Sequence, residues 1–206
     1  VNMFERKLAS IENCEKAFAT ASGMAAVTAS LMSQLSAGDH IISSKALFGS
    51  CRYVIGELLP RFGIKVTFVD GSDLNQWEKA LNSKTKCGFV ESPSNPMLDI
   101  VDINAISNIL HKNNSLLIVD NAFSSPIIQK PIELGADIVV YSATKHIDGQ
   151  GRSLGGAILS NAKFIDDKVL PFMRHTGASL SPFNAWILGK SLETLELRIK
   201  QHCFNA

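Results

Sequence analysis

Apolar positions in this chain recur with two periods, and the periods alternate along it. Residues 24–36 place Met24, Val27, Thr28, Leu31 and Leu35 on one helical face, with Gly38 where a C-terminal cap would sit. His40-Ile41-Ile42 then reads as a short strand, residues 50–61 as a helix, and Ile64–Val69, rich in β-branched residues, as a strand. Residues 73–81 predict a helix opened by Ser72 or Asp73, and Cys87–Val90 the next strand. Asp102–Lys112 reads as a helix and Leu116–Val119 as a strand that ends on Asp120; Asp137–Tyr141 and Gly156–Leu159 complete a list of six strands. Near one terminus, Phe4, Leu8 and Ile11 follow helical spacing with no start signal before them. Near the other, Ser181-Pro182 opens a segment whose stripe Leu188, Leu192, Leu195 and Ile199 predicts one long packing helix.

Helices alternating with short, nearly all-apolar strands imply an α/β fold: a mostly parallel sheet sandwiched by helices. Ligand sites in such sheets lie beyond the carboxyl ends of the strands. Three polar clusters fall there, directly after predicted strands: Glu91-Ser92-Pro93-Ser94-Asn95-Pro96, Asp120-Asn121, and Ser142-Ala143-Thr144-Lys145-His146.

Composition narrows the partners. The 206 residues are 46% hydrophobic and 19% charged, enough for one sizeable core, and no repeat or linker divides them. Twenty Lys plus Arg against nineteen Asp plus Glu give no reason to expect a nucleic acid or an anionic membrane surface as partner. The apolar runs are too short to span a bilayer, and the first residues, of mixed charge, do not form a signal peptide. Cys14, Cys51, Cys87 and Cys203 form no CxxC pair, so reduced thiols in a cytoplasmic protein are expected, and five scattered histidines give a metal site no support. A start on Val1 that already reads as mid-helix, and an end at Ala206 inside a helical pattern, predict a fragment at both termini.

The polar clusters match what pyridoxal 5′-phosphate (PLP) requires. Its aldehyde needs a lysine amine, its ring nitrogen an acid partner, its phosphate backbone N–H groups at a helix N-terminus plus hydroxyls, and its ring face an aromatic stack. Lys145 follows one strand with Ser142 and Thr144 beside it, and Asp120 ends the preceding strand. Ser22-Gly23-Met24 opens a helix, so the N–H groups of Gly23 and Met24 can face a phosphate, and Phe48 can supply the stack. Each feature alone has an ordinary reading: a solvated lysine, a turn-forming Asp, a Ser-Gly cap, a core Phe. Only their joint occurrence points to a cofactor.

Four stretches, in order along essentially the whole chain, carry a specific resemblance: Ala21-Ser22-Gly23-Met24-Ala25-Ala26, Glu91–Pro96, Asp120-Asn121-Ala122-Phe123, and Tyr141-Ser142-Ala143-Thr144-Lys145-His146. They resemble the Cys/Met-metabolism (transsulfuration) family of fold-type I PLP enzymes. Ala46–Tyr53 and Lys145–Arg152 look most like its sulfhydrylase branch. The resemblance implies that residues 1–206 are the large PLP-binding domain, incomplete, with an N-terminal arm and a C-terminal small domain lying outside them. It implies Lys145 as the lysine that condenses with the cofactor and shuttles protons, and Asp120 as the partner of the pyridinium nitrogen. Gly23, Met24, Ser142 and Thr144 would hold the phosphate, Phe48 would stack, and Asn95 would contact the phenolic-oxygen side. Glu91 and Ser181 are expected near the substrate.

The implied reaction is γ-replacement on O-succinyl- or another O-acyl-homoserine, with sulfide giving homocysteine, by a homodimer or homotetramer. The implied rivals are a cystathionine γ-synthase or γ-lyase, and an inactive remnant that only binds. Two departures bear on this choice. Many relatives have Tyr where this chain has Phe48, and Thr where it has Ala122. A phenyl ring keeps the stack but cannot transfer a proton, which favours the sulfhydrylase branch. Gly149-Gln150-Gly151-Arg152 has the wrong spacing for a dinucleotide turn and precedes a strand, so it is assigned to shaping the loop behind Lys145.

Overall fold

The computed structural model describes residues 1–206. Seven strands form one sheet: β1 (Lys16–Thr20), β2 (His40–Ser44), β3 (Lys65–Val69), β4 (Thr85–Glu91), β5 (Leu116–Asp120), β6 (Ile138–Ser142) and β7 (Gly156–Ser160). Their order is β1-β7-β6-β5-β4-β2-β3. Strands β2 to β6 are mutually parallel, while β7 runs antiparallel to both of its neighbours. The expected mostly parallel α/β sheet is therefore what forms.

Alternation within each strand divides the core in two. Leu117, Val119, Val139, Tyr141, Ala157 and Leu159 point to one face, under the helices Asn2–Glu12, Leu74–Ala80, Ile103–His111 and Pro182–Ser191. Ile118, Ile138, Val140 and Ile158 point to the other, under the helix Gly23–Met32 and the helical stretches 49–61 and 162–176. Burial on both faces is why these strands read as continuous apolar runs. No helix is long and apolar enough to cross a membrane.

Three expectations change. Strand β1 went unread, because Lys16-Ala17-Phe18-Ala19-Thr20 is built on alanine, a poor strand former; pairing with β7 makes it a strand. The helix read as 24–36 is Gly23–Met32, capped at Ser33, and Gly38 (φ 92°) instead turns the chain so that its N–H donates to the Gly63 carbonyl at 2.9 Å. The long helix after Ser181 is two, Pro182–Ser191 and Leu195–Asn205, joined by a single 3-10 turn at Leu192–Thr194. All four stripe residues are still buried, so the packing argument survives the break.

Candidate functional site

Register brings the polar clusters to one edge. Glu91 on β4 pairs with Asp120 on β5, Ser142 on β6 with Gly156 on β7, and Gly156 with Thr20 on β1. The chain leaves β1 at Thr20 and two residues later enters the helix Gly23–Met32. Its N-terminus therefore starts beside the end of β6. Ser22 caps that helix, its hydroxyl accepting from the Ala25 N–H at 3.1 Å. Gly23 and Met24, at the first two positions, have N–H groups that no carbonyl of their own helix can reach.

A cavity of about 610 Å³ opens at this edge, within the range of small-molecule sites. Gly23, Met24, Phe48, Glu91, Asn95, Asp120, Ser142, Thr144 and Lys145 all line it. Ser181 does not; its hydroxyl caps the helix Pro182–Ser191 by accepting from the Asn184 N–H at 3.1 Å. Its segment nonetheless runs close by, since the Ala178 carbonyl accepts from the Ala21 N–H at 2.8 Å. Four further wall residues carry no role read from the sequence: Cys51, Phe123 and His146, which lie in the resembling stretches, and His202. They come from four separate elements, and only packing assembles them.

Two acids dominate the electrostatics. Asp120 is nearly buried, and burial pushes its carboxyl up to about 6, against the Ala122 N–H that donates to Oδ1 at 3.0 Å. The only other group on it is the Cys51 thiol, 3.8 Å from Oδ2. No lysine or arginine of the chain neutralises Asp120, so its second oxygen suits an incoming cationic N–H. Glu91 is pushed up to about 7 by burial and by the neighbouring Asp120. It accepts from the backbone N–H groups of Phe48 and Asn95, and so ties two loops of the cavity wall together.

The remaining parts follow the same logic. Phe48 is 42% exposed and offers its ring to the cavity. The turn after β6 is set by the Lys145 N–H donating to the Ser142 carbonyl at 3.2 Å, and by Thr144, whose Oγ1 accepts from the Gly155 N–H at 3.2 Å. Gly23 lies so close to Ser142 that a Cβ there would meet the serine Cβ at 2.6 Å. The fit to PLP thus rests on a buried acid lacking a cation, an amine just past the neighbouring strand end, and a glycine-lined helix N-terminus against a serine hydroxyl.

Comparison with known proteins agrees. A family model described as "Cys/Met metabolism PLP-dependent enzyme" matches residues 1–206. An O-succinylhomoserine sulfhydrylase of Mycobacterium tuberculosis is 52% identical over 97% of the chain, which covers 49% of that protein. An L-methionine gamma-lyase of Fusobacterium nucleatum is 42% identical over 99% of the chain and 52% of its own length. The crystal structure of metB from Corynebacterium glutamicum superposes with a TM-score of 0.96 at 34% identity, over 98% of this chain and 53% of that one. The chain spans about half the length of the curated relatives it matches. It belongs to the Cys/Met-metabolism family of PLP-dependent enzymes.

Proposed function

We propose that residues 1–206 form the PLP-binding large domain of an enzyme that exchanges the acyl group of an O-acyl-homoserine, O-succinyl-homoserine above all, for sulfide to give homocysteine. The observation that carries this reading is the juxtaposition of Lys145, Asp120 and the Gly23–Ser142 cradle around one cavity. Likeness to the sulfhydrylase, and a phenyl ring at Phe48, favour sulfide as the acceptor.

In this reading Asp120 would pair with the ring nitrogen and favour its protonated form, since an N–H⁺ beside a desolvated carboxylate stabilises both charges. The Gly23 and Met24 amides, with the Ser142 and Thr144 hydroxyls, hold the phosphate at the helix N-terminus. Phe48 would stack on the ring, and Asn95 would lie toward its phenolic oxygen. When bound, PLP supplies the electron sink for charge left at the substrate α-carbon. Lys145 Nζ takes the α-proton and then works at the β-carbon; the acyl carboxylate leaves the γ-carbon and sulfide takes its place. Phe48 has no proton to exchange, so Lys145 carries the proton traffic. Glu91 holds the two loops facing the substrate, and Ser181 belongs to the segment expected at its carboxylate.

A γ-lyase of the same family is the second reading, supported by the likeness to methionine gamma-lyase. In either case a cytoplasmic dimer or tetramer is the expected form. The experiment has two stages. The chain with PLP should turn yellow, and borohydride should fix the cofactor on Lys145 but not on a Lys145→Ala variant. A colourless chain defeats the proposal at its root. Acyl-homoserine with sulfide is then compared with methionine in water, using the PLP-loaded protein. Homocysteine from the first pair supports the sulfhydrylase, and methanethiol from the second supports the lyase.

A further inference from the structure

Arg198 lies on the helix Leu195–Asn205, distant in sequence from Lys145, and does not line the cavity. Its guanidinium nevertheless reaches the turn that follows Lys145. Nη1 donates to the His146 carbonyl at 2.7 Å, and Nη2 to the Ile147 carbonyl at 3.0 Å. Nη2 also meets the Ser191 carbonyl at 3.0 Å, and Nε donates to Thr194 Oγ1 at 3.2 Å. The turn's own bonds run from the Asp148 N–H to the Ala143 carbonyl and from the Gly149 N–H to the Lys145 carbonyl. The planar guanidinium thus takes up two carbonyls that the turn's own bonds leave over, while the Asp148 carbonyl accepts from Arg152.

Gly149 makes the approach feasible. A Cβ there would stand 1.9 Å from Arg198 Nη1, and its φ of 69° already favours glycine. A second arginine closes the clasp. Arg152 Nε donates to Oδ1 of the fully buried Asp148 at 3.2 Å, while its Nη2 donates to Ser191 Oγ at 2.8 Å. Both arginines therefore meet at Ser191, where the first of the two C-terminal helices gives way to its 3-10 turn. One turn beyond Arg198, His202 lines the cavity.

We propose that Arg198 is a positioning residue for Lys145: it locks the turn carrying the amine to the break between the two C-terminal helices, so that amine and helix move as one body. The proposal rests on Lys145 being the PLP lysine, and its test separates the two ideas. Hydrogen exchange at the Asp148 and Gly149 amides is measured without PLP, in Arg198→Met, Arg198→Lys and a control on the same helix, Lys200→Met, whose charge is exposed. PLP affinity is then titrated for each.

Arg198→Met should exchange about tenfold faster than the control and bind PLP about tenfold more weakly, the factor for one charge-assisted hydrogen bond. Arg198→Lys, a point charge without the fork, should fall between. Unchanged exchange overturns the proposal; faster exchange with unchanged PLP affinity also overturns it, leaving a brace with no bearing on the amine. Should Arg198→Met not fold, Thr194→Val removes the Nε bond, together with the Thr194 hydroxyl's bond to the Ser191 carbonyl, and must move both readouts the same way by a smaller factor, or the proposal falls. If borohydride fails to trap PLP on Lys145 in the unaltered chain, the functional reading fails first, and exchange alone still decides whether Arg198 holds the turn.

Discussion

Gly23 stands against Ser142 with no room for a side chain: a Cβ would lie 2.6 Å from the serine Cβ and 2.9 Å from its Oγ. Backbone from the start of a helix and backbone from the end of β6 thereby approach as closely as they can. A phosphate held there meets amides from one and hydroxyls from the other.

Gly23→Ala should accordingly prise the two apart. The overpacking cost is about 1–3 kcal/mol, read as a lower melting temperature. PLP affinity should fall as well, because the amides no longer face the serine. Fluorescence titration checks this, and an alanine variant that binds as tightly as the parent would remove the cradle from the account.

Asp120→Asn should act in opposite directions with and without cofactor. Burial holds the carboxyl up at about 6, so near pH 8 the cofactor-free chain bears a desolvated charge, and the amide relieves it. Its melting temperature at that pH should rise. Turnover of the loaded enzyme should drop about a hundredfold or more, since the ring nitrogen loses the group that keeps it protonated.

A third carboxyl, Glu12, lies fully buried on the reverse side of the sheet, accepting from the Tyr141 hydroxyl, which in turn accepts from Asn121 Nδ2 at 2.6 Å. Glu12 Oε1 has no partner, and burial pushes the group up to about 7. A raised carboxyl binds protons more tightly folded than unfolded. Its contribution is full below about 4.5 and is lost as pH climbs to about 7. Stability of the cofactor-free chain should therefore fall over that window, with Glu12 accounting for on the order of 2–3 kcal/mol. Glu12→Gln should flatten the slope in urea melts taken at pH 5, 6, 7 and 8. A slope identical to the parent's would mean that Glu12 ionises freely.

Phe48 supplies a face and no proton. Phe48→Ala should weaken PLP binding by about 2- to 10-fold, the worth of an aromatic contact. Phe48→Tyr should leave affinity unchanged while restoring a hydroxyl beside the reacting carbons. Product analysis with sulfide and water in competition should then show a larger share of the water-derived product.

Much of the site was legible because its chemistry needs rare residue types at strand ends. Lys145, Asp120 and Glu91 each follow an apolar run, and a polar residue there has few structural duties. The helix start read at Ser72 or Asp73 falls on Asp73, and the helix read from Asp102 is capped by it, since a carboxylate ahead of an apolar run caps by accepting from N–H groups two or three residues on. Phe123 and His146 stand beside those strand ends without a role of their own to read, and His202 left no trace at all. Their places in the cavity wall depend on how the loop after β5, the turn after β6 and the last helix pack together, and no local pattern encodes that.

The sequence by itself determined the alternating layers, the mostly parallel sheet and the polar strand ends on which Lys145 is proposed as the cofactor lysine, because periodicity and polar residues at strand ends are local properties. Tertiary structure decided which ends meet. Strand β1, too rich in alanine to declare itself, pairs with β7 and so delivers Gly23 to Ser142. Arg198, on the helix that follows the 3-10 turn at Leu192–Thr194, reaches the turn behind Lys145. Hydrogen bonds between segments far apart in the chain fix both relationships, and such bonds follow from packing as a whole rather than from any stretch of residues.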